Sequence, residues 1–280
     1  MPPPLTMPTI SAALANSATS PCTPEEVERY RAPALDKGLD ILELLAQRKE
    51  GLTRTEITKQ LGRNASEIYR MLERLVARQY VTRSSSGDRY TLSLKLFALA
   101  HRHPPMNRLI DEALPPMQRF ADTAGQSCHL SVHDRGGLLV IAQVDDPGAW
   151  GITVRLGSRV GLTDTASGQL MLAFQTPGQR EHMLGEHAKL ADATGLDEAA
   201  FEAAAIGARQ QGCLRQASRR ALGVTDIAVP VLGPSGQAIA VLTCPYVQRI
   251  DTRCATTLDE ATELLRRTAE SLSMASLQAA

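Results

Sequence analysis

One short stretch carries hydroxyl, phenol and guanidinium groups at a spacing that suits reading the edges of DNA bases. Ala65, Ser66, Tyr69, Arg70 and Arg74 fall at outward or flanking positions of a segment whose Ile68, Met71, Leu72, Leu75 and Val76 repeat at helical spacing. Small and hydroxyl residues near a helix N-terminus, with arginines one turn on, suit entry into a major groove. A second basic pair, Arg83 and Arg89, flanks Ser84-Ser85-Ser86-Gly87 between two alternating stretches, Tyr80–Arg83 and Asp88–Leu92. That pattern predicts a hairpin with its arginines near the tip, where they can contact phosphates. Thr53 and Arg63, at the two ends of the preceding helix, complete the candidate DNA-contacting set.

These side chains need a frame. Thr53 stands three residues before Glu56, and Asn64 three before Glu67, so each pair has capping-box spacing and starts a helix. Leu61-Gly62-Arg63 closes the first of the two with a glycine. An earlier helix, from about Ala34 to Gln47, places Leu35, Leu39, Leu42 and Leu45 on one face and completes a three-helix core. The unit reads as a winged helix-turn-helix over residues 31–92, after a tail (residues 1–30) expected to be disordered. Residues 93–104 predict a linker helix, apolar on more than one side (Leu94, Leu96, Phe97, Leu99), that packs on the head and on something beyond it such as a partner subunit. Pro104-Pro105 ends it.

Residues 105–280 read as a second domain. A helix from about Asn107 to Ala124 is expected to break or kink at Pro115-Pro116. Strands follow at Ser127–His133 and Leu138–Val144 around the turn Asp134–Gly137, and a further strand at Trp150–Leu156. The segment VGLTDTASGQLMLAF predicts an apolar helix with Asp164 as its N-cap. After a helix-rich insertion from Pro177 to Gly212 comes a second strand pair, Val224–Leu232 and Gln237–Tyr246, and a long amphipathic helix from about Thr252 to Leu272. The fold class is therefore mixed: a mainly α head with a β-hairpin wing, then an α+β domain with an antiparallel sheet covered by helices.

The net charge of zero is unevenly spread. Residues 31–102 hold 14 Lys and Arg against 8 Asp and Glu, whereas residues 104–280 hold 15 against 19. A basic head beside an acidic domain fits nucleic-acid binding. Five cysteines with no C-x-x-C argue against a disulfide framework or a thiolate zinc site and fit a reducing cytoplasm. No apolar run approaches membrane-spanning length, and the N-terminus lacks signal-peptide character. His129 and His133 are four apart in an expected strand, too distant to chelate easily. There is no G-x-S-x-G, P-loop or G-x-G-x-x-G, so no catalytic residues, metal or cofactor are expected. Arg215, Arg219 and Arg220 could grip an anion, with solvated surface as the default reading.

The segments ALDKGLDILELLA, EITKQLGRNASEIYRMLERLVARQYV, RYTLSLKLFALA, VGLTDTASGQLMLAF and GVTDIAVPVLGPSGQAIAVLT resemble, in order and spacing, the IclR family of bacterial transcription factors. The resemblance implies a winged helix-turn-helix, a dimerising linker helix and a GAF-like effector-binding domain. It also implies homodimers or tetramers on palindromic double-stranded operators, controlling catabolic genes in response to a small molecule, with an organic or aromatic acid expected. The candidate effector-binding residues are His129, Leu156, Asp164, Thr165, Ala166, Ser167, Asp226 and Thr243. Ser66, Tyr69 and Arg70 match the family's S-x-x-Y-R pattern. Glu67 departs from it, with two readings: a capping-box partner, which is favoured, or an acceptor from a cytosine N4. Gln79 stands where the family usually has glycine. If Asp164 and Asp226 both face the pocket, a cationic or hydroxyl-rich ligand follows; if Asp164 caps and Asp226 faces solvent, a small organic acid does. The alternatives are a protein–protein adaptor that no longer binds DNA, and an enzyme with an accessory winged helix.

Overall fold

The computed structural model describes residues 32–85, 87–100, 104–148, 151–249 and 256–277. The tail, His101, His103, Trp150 and the start of the last expected helix lie outside the described residues. Contacts divide the chain into two compact units that meet in sequence between Ala100 and His101.

In the first unit, helices α1 (Pro33–Ala46), α2 (Arg54–Leu61) and α3 (Ala65–Ala77) bury Ile41, Leu45, Ile57, Ile68 and Leu72 together. α2 starts with the expected capping box: the Thr53 hydroxyl accepts from the Glu56 N–H, and the Glu56 carboxylate accepts from the Thr53 N–H at 2.7 Å. These bonds, with Thr53 as the main cause, hold the Glu56 carboxyl below its usual range. α3 starts differently from expectation. The Asn64 side chain accepts from the Ser66 N–H (2.9 Å) with no reciprocal bond, and Glu67 reaches α1 to pair with Lys37 at 3.0 Å. An ammonium makes a charge-assisted bond stronger than one backbone N–H can, so Glu67 does not complete a capping box.

The wing is three-stranded rather than two-stranded. β1 (Leu52–Thr53) and β2 (Val81–Arg83) flank β3 (Arg89–Leu92), with Leu52 opposite Tyr90 and Val81 opposite Leu92. A two-residue strand is too short to show alternation in sequence. β1 lies so close to β3 that a Cβ on Gly51 (φ +70°) would sit 2.5 Å from the Tyr90 carbonyl oxygen. After α3 the chain turns in a Schellman arrangement: the N–H groups of Gln79 and Tyr80 donate to the carbonyls of Val76 and Leu75, and Gln79 takes φ +63°. A left-handed glutamine is strained, so Gln79→Gly is expected to raise the thermal midpoint of the head, by roughly 1 kcal/mol in stability. The short helix α4 (Lys95–Ala100) buries none of its residues; Phe97 is 60% exposed and the preceding Leu94 81%.

The second unit opens with α5 (Pro104–Ala124), which runs through Pro115 and Pro116 without the expected break. Ala113, Met117, Phe120, Ala121 and Ala124 are all buried along it, and that apolar stripe outweighs the lost backbone bonds. Six antiparallel strands form one sheet in the order β6-β5-β4-β9-β8-β7. They are β4 (Cys128–Asp134), β5 (Gly137–Val144), β6 (Arg159–Val160), β7 (Leu214–Ala217), β8 (Val224–Leu232) and β9 (Ala238–Val247). The expected strand at 150–156 is not one: residues 151–155 have no regular structure, and pairing resumes only at Arg159. Strand β7, unread in the sequence, adds an edge beside β8.

Alternation sorts the sheet into two faces. Cys128, Leu130, Ile227, Val229, Leu242 and Cys244 face α5 and the last helix, α9 (Leu258–Leu277). The other face carries α6 (Ala166–Ala173), α7 (Pro177–His187) and α8 (Glu198–Gln211). On that face α6 packs on Leu138, Ala228 and Val241. It is also the face of His129, Thr243 and Asp226, where polar side chains stand on central strands.

Candidate nucleic-acid interface and ligand cavity

The outward side of α3 exposes Ala65, Ser66, Tyr69, Arg70 and Arg74 together. Among the described residues neither Arg70 nor Arg74 has an acidic partner. Tyr69, 45% exposed, is overlain by the Arg54 guanidinium 5.5 Å from its ring centroid. Arg54 escaped the sequence reading because it belongs to α2, and only the fold sets it beside the outward face of α3. The other expected DNA contacts are partly committed elsewhere. Thr53 is half-buried in its capping box, and Arg63 pairs with Asp40 at 3.4 Å. Arg83 donates to the Gly87 carbonyl and lies over the Tyr90 ring. Arg89 donates to the Gly51 carbonyl at 3.0 Å, half-buried, and so holds the wing to the head.

In the second unit a cavity of about 280 Å³ opens between the polar face of the sheet, the start of α6 and the segments around Thr153 and Ser218. His129, Thr165, Ser167, Asp226 and Thr243 line it, as expected, and Arg220 joins them. Leu156 does not: it is 61% exposed. Ala166 is buried behind the wall. Asp164 is not the cap of α6. Thr165 is, its hydroxyl accepting from the Gly168 N–H at 3.1 Å, because its extended backbone (φ −125°, ψ 156°) leads directly into the helix. Asp164 instead folds over Gly161 and takes Arg220 at 3.4 Å. Arg220 is exposed, as the solvated-surface reading has it, and it also borders the cavity.

What marks the cavity is unmet hydrogen bonding. His129 Nδ1 and Thr243 Oγ1 are buried without a partner, on adjacent strands at opposed positions. A buried polar group left unpaired costs roughly 1–3 kcal/mol, so such atoms normally have a partner. A larger groove of 810 Å³ beside α5 and α7 lacks this feature. There Gln175 already bonds the Ala238 carbonyl, Gln179 bonds Gln237, and Arg108 pairs with Glu112. Among the described residues no three His, Cys, Asp or Glu side chains are placed to hold a metal ion. The free thiols of Cys128, Cys213 and Cys244 are buried, and burial pushes Cys128 up to about 12.

Burial pushes the His129 imidazole down to about 4, so it is neutral in the folded protein at neutral pH. Burial raises the Asp226 carboxyl, with the Ser218 hydrogen bond opposing the shift. A depressed histidine means that the unfolded chain binds the extra proton first. His129 therefore withdraws stability as pH falls from about 6.5 to about 4, on the order of 3 kcal/mol in full. Asp226 acts oppositely, its penalty easing as pH falls through its raised pKa. His129→Gln is expected to flatten the acid limb of stability over that window. Urea titrations followed by circular dichroism at successive pH values measure it. An unchanged acid limb in the variant would show that His129 is not its source.

Comparison with known proteins matches both units. Residues 34–85 match the description "IclR helix-turn-helix domain". Residues 106–274 match "Bacterial transcriptional regulator IclR C-terminal". The chain is 27% identical over 237 residues to the HTH-type transcriptional regulator BhcR of Paracoccus denitrificans, covering 83% of this chain and 85% of that protein. It is 26% identical over 212 residues to the HTH-type transcriptional regulator KdgR of Escherichia coli, covering 75% and 80%. Among solved structures, an IclR homolog of Microbacterium hydrocarbonoxydans complexed with 4-hydroxybenzoate shares the fold. Its TM-score is 0.71 at 22% identity, over 88% of this chain and all of that one.

Proposed function

The chain belongs to the IclR family of bacterial transcriptional regulators and is a DNA-binding regulator; from that premise we propose how its two units divide the work. The head reads a palindromic operator through α3, with Ser66, Tyr69 and Arg70 at base edges and Arg54, Arg74 and Arg83 at phosphates. The observation that carries this is the outward face of α3: its arginines have no acidic partner among the described residues, while Glu67, the acidic residue of its first turn, is drawn back onto Lys37. The exposed apolar side chains of α4 and Leu94, with Leu35 of α1, supply a surface for a second copy, and two copies reach half-sites about one helical turn apart. The cavity of the second unit binds a small-molecule effector, and differential affinity for two arrangements of the dimer shifts which one is populated. Its unpaired buried atoms support that role, and the solved homologue bound to 4-hydroxybenzoate makes a small acid the first class to test. The unit acts as a sensor rather than an enzyme, in the cytoplasm where the operator is.

The test is a gel-shift titration on the intergenic DNA beside the protein's own gene, against scrambled DNA, at two salt concentrations. Selective binding that weakens with salt supports the proposal. Equal affinity for both DNAs removes the base-reading role of α3, and no binding at either salt favours the adaptor.

A further inference from the structure

We infer that Arg54 is a positioning residue for base reading: its guanidinium lies on the Tyr69 ring and sets the direction in which the phenol hydroxyl is offered. The inference rests on reading α3 as the recognition helix, and it adds a residue of α2 to what determines specificity.

Four cation–ring pairs stand among the described residues, and three of them are structural. Arg83 lies over Tyr90, a ring only 3% exposed, and donates to the Gly87 carbonyl. Lys95 lies over half-buried Tyr80 and donates to the Arg78 carbonyl at 2.6 Å. Arg180 lies over Phe201, a buried ring, and pairs with Glu202. In each of these an oxygen holds the cation, and the ring is wholly or partly buried. Arg54 and Tyr69 differ on both counts. Both are exposed, and among the described residues the guanidinium has no acidic partner and the phenol no hydrogen bond. A contact this open adds little to the stability of the fold. What it does is favour one orientation of two side chains that solvent would otherwise leave free.

The backbone beneath both side chains is set by other bonds. Arg54 is the first residue of α2, directly after the Thr53 capping box and the pairing of Thr53 with Arg89. Its carbonyl accepts from the Thr58 hydroxyl at 2.8 Å. Tyr69 stands one turn into α3, between Ile68 and Leu72 of the shared core. The 5.5 Å contact therefore joins two side chains whose anchors are already placed. A guanidinium lying on a ring keeps its five N–H groups at its rim, where they remain free for a phosphate. The ring face beneath it is covered. That leaves the Tyr69 hydroxyl, both donor and acceptor, as the group that meets a base edge. One arginine thus links the place of the DNA backbone to the aim of a reading group.

Fluorescence anisotropy of the full chain tests this, on the intergenic duplex beside its gene and on a scrambled duplex, over a salt series. Arg54→Lys keeps the charge and loses the planar stack. It is expected to keep its affinity for scrambled DNA and its salt slope. The ratio of intergenic to scrambled affinity should fall about two- to fivefold per bound head, the factor that an exposed cation–ring contact supplies. Arg54→Met should lower the ratio alike and also shallow the salt slope by about one charge. In the Tyr69→Phe background, where the ring remains without its hydroxyl, Arg54→Lys should leave the ratio unchanged. Thermal melting followed by circular dichroism should match the wild type in every variant. A lowered midpoint that tracks the lost ratio would make the pair structural and overturn the inference. An unchanged ratio in Arg54→Lys, with Tyr69→Phe still lowering it, reduces Arg54 to a phosphate contact and overturns the inference alone. A fall of equal size in both backgrounds means that Arg54 acts without Tyr69, and it overturns the inference too. A Tyr69→Phe protein that discriminates as the wild type does also overturns it, and if Arg70→Ala does the same, the reading of α3 falls with it.

Discussion

Arg70→Ala is expected to weaken operator binding by about 1–3 kcal/mol, roughly five- to 150-fold, with little change in affinity for random DNA. The size follows from what the side chain does. Arg70 is exposed on α3, has no acidic partner among the described residues, and lies one turn from the helix N-terminus, the part of a recognition helix that meets base edges. A guanidinium in that place can hold O6 and N7 of one guanine with two parallel bonds, and alanine supplies neither. Removing a phosphate contact has another signature: affinity falls equally on all sequences and the salt dependence shallows by about one charge. Fluorescence anisotropy on operator and scrambled duplexes over a salt series separates the two. Equal losses on both DNAs would move Arg70 from the reading set to the positioning set. Arg70→Lys sharpens the test, because an ammonium keeps the charge but loses the planar fork.

Gly168→Ala should be strongly damaging to the second unit. Gly168 lies in the first turn of α6, pressed against the segment before that helix. A Cβ there would come within 2.3 Å of the Leu162 carbonyl oxygen and 2.4 Å of that of Gly161. Both obstacles are backbone, so no side-chain rotation relieves them. The alternatives are to push α6 off the sheet, where Leu170, Met171 and Leu172 are buried, or to displace Gly161 and Leu162. Overpacking a tight core commonly costs 1–3 kcal/mol, and a backbone clash this short belongs at or above the top of that range, about 3 kcal/mol. Urea titration followed by circular dichroism measures it. A loss under about 1 kcal/mol would mean that the helix and the preceding segment separate easily. In the soluble variant, ligand affinity should fall as well, since the same displacement moves Ser167.

Much of this architecture is written in local signals. Thr53 and Glu56 form the box their spacing predicts, and Leu72 and Ile68 turn inward as helical periodicity requires. The alternation of β4, β8 and β9 marks their strands. What sequence could not show depends on contacts between distant segments. Glu67 has good capping spacing, but Lys37, thirty residues earlier, wins it. Asp164 is a good N-cap residue by type, yet the backbone of Thr165 is the one with the required conformation. Leu156 sits in a sequence that alternates, but the chain turns there before it pairs with β5. The cavity followed the same divide. Its helix start and the strands β4, β8 and β9 were legible, whereas the approach of Arg220 across 56 residues to Asp164 emerges only in three dimensions.

The clip between Arg89 and the Gly51 carbonyl, with β1 sewn to β3, joins the wing to the residues that start α2. Hairpin and helices are thereby tied together within the head by pairing as well as by the shared core. Changing the sequence it prefers does not require rebuilding it. The outward positions of α3 are exposed and lie apart from the clip, whereas Gly51 is pressed against Tyr90. Such a head can diverge to new operators quickly, by point changes on one helix.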